Sequence, residues 1–339
     1  MTQAIEHITL VRTPSGVPEE ADFALGRSEL AAPQDGEVLV RVIALSLDPY
    51  LRSAMAGRHM SGAIAPGTVV RGEGLVEVLH SRHPRMQAGQ RWVAFCGWRS
   101  HALLDAATVA QARPVDDEVQ PATLALGVLG MPGLTAWAGF KLLADAKAGD
   151  TLVVSAASGP VGATVGQLAR IAGCRVVGIA GGAEKCAWAE TIAGFDVCID
   201  YKHHKLREAL KTHCPGGVDI YFDNVGGDTL QAVVEQLALH ARIVLCGLIS
   251  QYGADAPAGP QPGFVHQGPR YGARPGGVRP LGAVQRYGGR AGCALARRPI
   301  AHPRRCEPRF GQHACGLCAA HAWRQPRQGP GATLKRGLR

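Results

Sequence analysis

Residues able to do chemistry concentrate in one short stretch. Thr151-Leu152-Val153-Val154-Ser155 has the composition of a buried strand, and Ala156-Ala157-Ser158-Gly159-Pro160-Val161-Gly162 leads from it into a helical pattern ending at Gly173. A glycine-containing turn between strand and helix lets backbone approach a pyrophosphate. The unpaired N–H groups and positive dipole end of the helix then stabilise its charge. Gly159 and Gly162 suit that turn and close packing of helix on strand. Glycine spacing alone is weak, because a tight turn in another α/β protein has the same form; the strand–turn–helix context points to a dinucleotide. Cofactor choice is set about 20 residues further on, where an acidic residue binds the ribose 2′-hydroxyl of NAD. Here the second strand ends Ile179-Ala180-Gly181-Gly182-Ala183, with no carboxylate at the strand end itself. Lys185 lies just beyond and suits a 2′-phosphate, which favours NADP(H), with Glu184 pointing to solvent from the next helix. Taken alone, Lys185 is also a solvated first-turn lysine.

Repeated strand–helix units must hold this turn. RVVGIAG, EKCAWAETIAG, VDIYFD, TLQAVVEQLALH and RIVLCGLI continue the alternation and predict a parallel, doubly wound sheet. Upstream, EVLVRVIAL at 37–45, TVVRGEGLVEV at 68–78 and GQRWVAFCGW at 89–98 are rich in β-branched residues and bounded by Gly and Pro. They predict a small β-rich, barrel-like first domain. From about residue 122 the apolar spacing is that of a helix pair. The expected division of the 339 residues is a substrate domain over 1–125, a dinucleotide domain over 126–258, and a segment of different character over 259–339.

No stretch approaches the roughly 18 apolar residues of a membrane span, and the N-terminal residues lack a cleavable leader pattern. The expectation is a soluble cytoplasmic protein with no membrane partner, its ten cysteines reduced. The formal charge of +9 is unevenly spread: residues 261–339 hold 15 Lys and Arg against one acidic residue, leaving 21 against 26 in residues 1–260. Nonspecific phosphate attraction to that basic segment is conceivable from charge alone. It carries no stacking aromatic pattern, so no specific nucleic-acid partner is expected.

Several motifs together resemble the prostaglandin reductase, or leukotriene B4 12-hydroxydehydrogenase, branch of the medium-chain dehydrogenases/reductases. They are Ser46-Leu47-Asp48-Pro49-Tyr50-Leu51-Arg52, GMPGLTAW at 130–137, VSAASGPVGATVGQLA at 154–169, FDNVGG at 222–227 and CGLISQY at 246–252. The resemblance runs from about residue 36 to 258. It implies a GroES-like barrel domain plus a Rossmann domain, NADP(H), a small hydrophobic enone or enal substrate, and a homodimer. By the same resemblance Gly159, Pro160, Val161 and Gly162 hold the pyrophosphate, and Lys185 and Tyr201 contact the 2′-phosphate. Asn224, Cys246, Gly247, Leu248, Ile249, Ser250 and Tyr252 lie along the nicotinamide side, with Met131 and Thr135 near it. Tyr50 and Tyr252 face the enone pocket, although each is also explicable as a packed tyrosine.

The implied reaction adds hydride to the β-carbon of a conjugated carbonyl, and a hydrogen-bond donor near the oxygen lowers the barrier as enolate charge builds. The expected activity is therefore NADPH-dependent reduction of the conjugated double bond, with quinone reduction as the alternative. A catalytic zinc needs about three Cys, His or acidic ligands. Arg71-Gly72-Glu73-Gly74 lacks the histidine that the zinc alcohol dehydrogenases carry before the glutamate, so no metal is expected. His80, His83 and His101 are surface or structural histidines on this view.

The last quarter departs from the resemblance. Residues 261–339 contain 14 Gly, 14 Arg and 9 Pro but only 11 Leu, Ile, Val and Phe, a composition below the roughly 20% apolar content of folding chains, and disorder is expected. Cys315-Gly316-Leu317-Cys318 with His313 and His321 only superficially resembles a metal knuckle. Codons can be chosen for residues 312–333 so that a one-base shift reads NTPAAFVRLMRGDNLGKALV, close to the NMPAAF and GDNLGK with which the family ends. The expectation is a frameshift near residues 255–270. If the ending is real, a third possibility is a catalytically impaired NADP-binding protein.

Overall fold

The computed structural model describes residues 2–59, 61–252 and 322–324. These fall into two compact units, one reaching to Gly127 and including Tyr252, the other Val128–Gln251. In the first, β1 (Gln3–Leu10) and β2 (Phe23–Leu30) form an antiparallel hairpin. The remaining elements are β3 (Val38–Ser46), α1 (Tyr50–Met55), β4 (Glu73–Ser81), β5 (Arg91–Phe95), β6 (His101–Leu104), α2 (Ala106–Gln111) and β7 (Arg113–Val115). An antiparallel sheet runs β3-β4-β5-β7, with β6 on the other side of β3. Its period of two puts Val38, Val40 and Val42 in one buried cluster with Val76, Val78 and Trp92. The β1–β2 hairpin was not foreseen; Leu10 and Ile5 are its buried side chains, while most of the others remain partly or wholly exposed.

The second unit contains α3 (Met131–Ala138), β8 (Thr151–Ser155), α4 (Pro160–Ile171), β9 (Arg175–Ala180), α5 (Ala183–Thr191), β10 (Val197–Asp200), α6 (Leu206–His213), β11 (Val218–Asp223), α7 (Gly227–Val234) and β12 (Leu237–Leu245). The parallel sheet is ordered β10-β9-β8-β11-β12, with the chain reversing its direction of travel between β8 and β11. Strands buried on both faces are continuous apolar runs. Leu152, Val154, Ile220 and Phe222 pack with Ala136, Phe140, Val165 and Ala169 of the helices on one face. Val153, Val177 and Tyr221 pack with Leu210, Leu230 and Val233 on the other. The sheet is thus covered on both faces, as the alternation predicts.

Two boundaries differ from the sequence expectation. The helix pair is a short helical turn, Ala122–Leu126, followed by α3, which continues through a wider π-type turn, Gly139–Ala144, to a left-handed Asp145 at φ 45°. The helix expected to reach residue 240 stops at Val234, because Leu237 is the register partner of Val218 and is buried against β11. His240, at φ 64°, lies in the irregular stretch where that pairing shifts register. Of residues 259–339, the described part is the strand β13 (Ala322–Arg324), whose backbone pairs antiparallel with Ser46, Leu45 and Ala44 of β3. The expected disorder and the Cys315–Cys318 pattern otherwise lie outside the described residues.

Candidate active site

Open parallel sheets bind ligands beyond the strand ends where the order reverses, here the ends of β8 and β11. Ser155 and Asp223 end those strands, both fully buried. The Ser155 hydroxyl donates to Asp223 Oδ1 at 3.0 Å and accepts the Asn224 N–H at 2.8 Å. The Asn224 side-chain amide donates to the Ser155 carbonyl at 2.8 Å. Asp223 Oδ1 also accepts from the Tyr221 hydroxyl at 2.7 Å and the Val225 and Gly226 N–H groups at 3.0 Å. Burial, reinforced by the Asp223 charge, pushes the Tyr221 hydroxyl well above the usual phenol range, so it remains a donor.

The turn after β8 has the expected form. Ala156 is left-handed at φ 51°, Gly159 precedes the helix in extended conformation, and Pro160 occupies its first turn. A side chain at Gly162 would collide with the Ala156 carbonyl. The Val161 and Gly162 N–H groups lie in the first turn and have no intrahelical acceptor. Gly159, Pro160, Val161 and Gly162 are therefore together at one helix start.

Residues 246–251 pass beside this point. The Cys246 and Gly247 N–H groups donate to the Asp223 carbonyl at 2.8 and 3.0 Å, Ile249 N–H to Asn224 at 3.3 Å, and Ser250 N–H to Val225 at 3.1 Å. The Ser250 hydroxyl donates to the Val225 carbonyl at 2.6 Å, and Leu248 covers Gly226. Burial pushes the Cys246 thiol up to about 12, leaving it unreactive. Met131 and Thr135 share the first turns of α3, the Thr135 hydroxyl donating to the Met131 carbonyl at 2.8 Å with the Met131 sulfur at 3.6 Å.

Lys185 and Tyr201 stand past the end of β9, both exposed, in the first turn of α5 and directly after β10. The end of β9 is free of carboxylates, as its sequence shows, but Asp200, the register partner of Ala180, supplies one from the neighbouring strand. It is already engaged, accepting the Gly182 N–H at 2.8 Å and lying 2.7 Å from His203 Nδ1.

In the first unit, Tyr50 opens α1 and stacks obliquely on His59 with ring centroids 4.8 Å apart. Burial, then the charges of Asp48 and Glu73, push its hydroxyl up to about 12, against the opposing influence of Arg71. Asp48 is buried and accepts the Ser46 hydroxyl at 2.9 Å. Burial raises its carboxyl to about 6 despite that bond, with the Glu73 charge adding to the rise. Tyr252 is half-buried and closes the continuous stretch of described chain. Among the described residues, no group of three or more His, Cys, Asp or Glu could hold a metal ion, and no helix is long and apolar enough to cross a membrane. The six described cysteines are free.

Ser155, Asp223, Asp200 and Asp48 escaped the sequence reading as site-forming residues. A carboxylate closing the apolar strands VDIYFD and VCID was the available signal, since a buried acid requires partners.

Two sequence families match, one described as "N-terminal domain of oxidoreductase" over residues 6–112 and one as "Zinc-binding dehydrogenase" over 160–266. The chain is 43% identical over 253 residues to the NADPH-dependent curcumin reductase of Escherichia coli, covering 74% of this chain and 72% of that one. It is 39% identical over 263 residues to the NADP(+)-dependent 2-alkenal reductase of Nicotiana tabacum, covering 75% of each. The crystal structure of CurA from Vibrio vulnificus in complex with NADPH superposes with a TM-score of 0.71 at 42% identity over 76% of both chains. The chain belongs to the medium-chain dehydrogenase/reductase family, in the branch of prostaglandin and 2-alkenal reductases that its motifs resemble.

Proposed function

We propose that this chain reduces the carbon–carbon double bond of α,β-unsaturated ketones and aldehydes with NADPH. The observation that carries the proposal is the bare helix start at Gly159 and Gly162 beside Asn224, in a chain whose relatives are named as NADPH-dependent curcumin and NADP-dependent 2-alkenal reductases. The residues present fit the nucleotide: two first-turn N–H groups for a pyrophosphate, and a lysine and a phenol past β9 for a 2′-phosphate. Bound NADPH supplies the hydride that adds to the β-carbon.

The chain's own work is orientation and charge. Gly159, Pro160, Val161 and Gly162 take the pyrophosphate, and Lys185 and Tyr201 the 2′-phosphate. Asn224, Cys246, Gly247, Leu248, Ile249 and Ser250, with Met131 and Thr135, serve the nicotinamide side. The Tyr50 hydroxyl keeps its proton at neutral pH and is the first candidate donor to the substrate oxygen as charge builds there. Tyr252 is the second, and solvent protonates the α-carbon. On the same resemblance we propose a cytoplasmic homodimer, which sedimentation would check.

NADPH oxidation with a simple linear enone, followed by product identification, tests the activity; a saturated product with its carbonyl intact is expected. Oxidation with a quinone alone would replace the proposal with quinone reduction. A specific observation also supports an impaired cofactor-binding protein: the matched families end at residue 266, and the relative from Escherichia coli is matched over only 72% of its length. NADPH binding without turnover of either substrate would favour that outcome.

A further inference from the structure

The region past β9 contains more than Lys185 and Tyr201. One oxygen of Asp200, Oδ1, accepts the N–H groups of both Gly182 and Lys202, at 2.8 and 3.1 Å. The other, Oδ2, lies 2.7 Å from His203 Nδ1. The Gly182 amide, followed by the His203 ring, holds the carboxyl down to about 2. Asp200 is thus ionised, and these backbone and ring partners occupy it, so the carboxylate serves the turn and not a ribose diol.

The same contacts locate Lys202. A Cβ at Gly181 would stand 3.0 Å from both Cε1 and the hydroxyl of Tyr201, and 3.1 Å from Cε of Lys202. The phenol and the lysine stem therefore lie side by side over bare backbone. Among the described residues no carboxylate pairs with Lys185 or Lys202. Nearby cations are engaged, Lys205 with Glu208 at 3.3 Å and Arg207 with Glu235 at 2.8 Å. A phosphomonoester carries roughly two negative charges and three acceptor oxygens near neutral pH, more than one lysine satisfies.

We propose that Lys202, positioned by Asp200, is a second cation for the 2′-phosphate of NADPH and acts with Lys185 in setting the preference for NADPH over NADH. This rests on the NADPH-dependent function proposed above. Binding to the full chain, measured by fluorescence titration with NADPH and NADH and by competition with 2′,5′-ADP and 5′-ADP, tests it without catalysis. Lys202→Ala is expected to weaken NADPH and 2′,5′-ADP about tenfold, the scale of one charge-assisted contact discounted for exposure. NADH and 5′-ADP should stay within about twofold, the loss should shrink as salt rises, and Lys202→Arg should restore most of the affinity. Unchanged 2′,5′-ADP binding in Lys202→Ala would overturn the role of Lys202 while leaving NADPH use intact, provided the unaltered protein still prefers 2′,5′-ADP. Equal weakening of all four ligands would also overturn it, by showing a structural role. No preference for 2′,5′-ADP in the unaltered protein, or no nucleotide binding, would sink both proposals.

Discussion

At the scale of single residues, Asp48 and Tyr50 give the sharpest expectations. An unfolded Asp titrates near 3.9, whereas buried Asp48 titrates at about 6, so folding favours its protonated form. Its contribution to stability is fully present below about pH 4 and is lost as pH rises through 6. Asp48→Asn removes the ionisation and keeps an acceptor for Ser46. Relative to the unaltered protein it should gain roughly 2 kcal/mol between pH 4 and pH 7.5, measured by urea unfolding at each pH; a flat difference would reject the assignment. Tyr50→Phe should lower kcat by about ten- to a hundredfold while the NADPH dissociation constant stays within about twofold. An unchanged kcat would move the donor role to Tyr252 or water. Gly159 and Gly162 were legible in the sequence because a backbone turn is a local constraint that few other residues satisfy. Asp200 was not, since the strand-end position it serves belongs to a strand about 20 residues earlier, and only sheet register brings the two together.

At the scale of elements, the alternating strands and helices of the second unit were legible because strands buried on both faces must be continuously apolar. The β1–β2 hairpin was missed for the opposite reason: QAIEHITL is mostly half-buried, FALGRSEL is mostly exposed, and neither is a continuous apolar run. The end of α7 was misjudged because Leu237 fits a helical spacing and a strand equally well, and pairing with Val218 decides it. Asp223 ties three of these elements together, through its carboxylate to Ser155 at the end of β8 and through its carbonyl to the segment after β12. Asp223→Ala leaves a phenol, a serine hydroxyl and two amides without their buried acceptor. It should cost about 3–5 kcal/mol in urea unfolding, and a loss under 1 kcal/mol would show that water replaces the carboxylate.

For the whole molecule, the change of character after residue 255 matters most. A chain whose downstream frame is shifted by one base, so that it ends in the family-like NTPAAF and GDNLGK, should bind NADPH more tightly and melt at a higher temperature than the chain as it stands. Equal melting temperatures and affinities would argue that residues 259–339 are a functional ending. Independent sequencing of the gene gives a second check, an intact frame with no family-like sequence beside it being the adverse outcome. The bond between Ser155 and Asp223 joins residues 68 apart in the chain, so neither side of the nucleotide floor exists until β8 and β11 have found each other. Contacts of such separation form late in folding, after their loop-closure entropy has been met. Nucleotide capture would then be a property of the finished sheet alone, and NADPH would stabilise the correctly paired chain over every mispaired intermediate, by an amount that grows with the logarithm of its concentration above the dissociation constant.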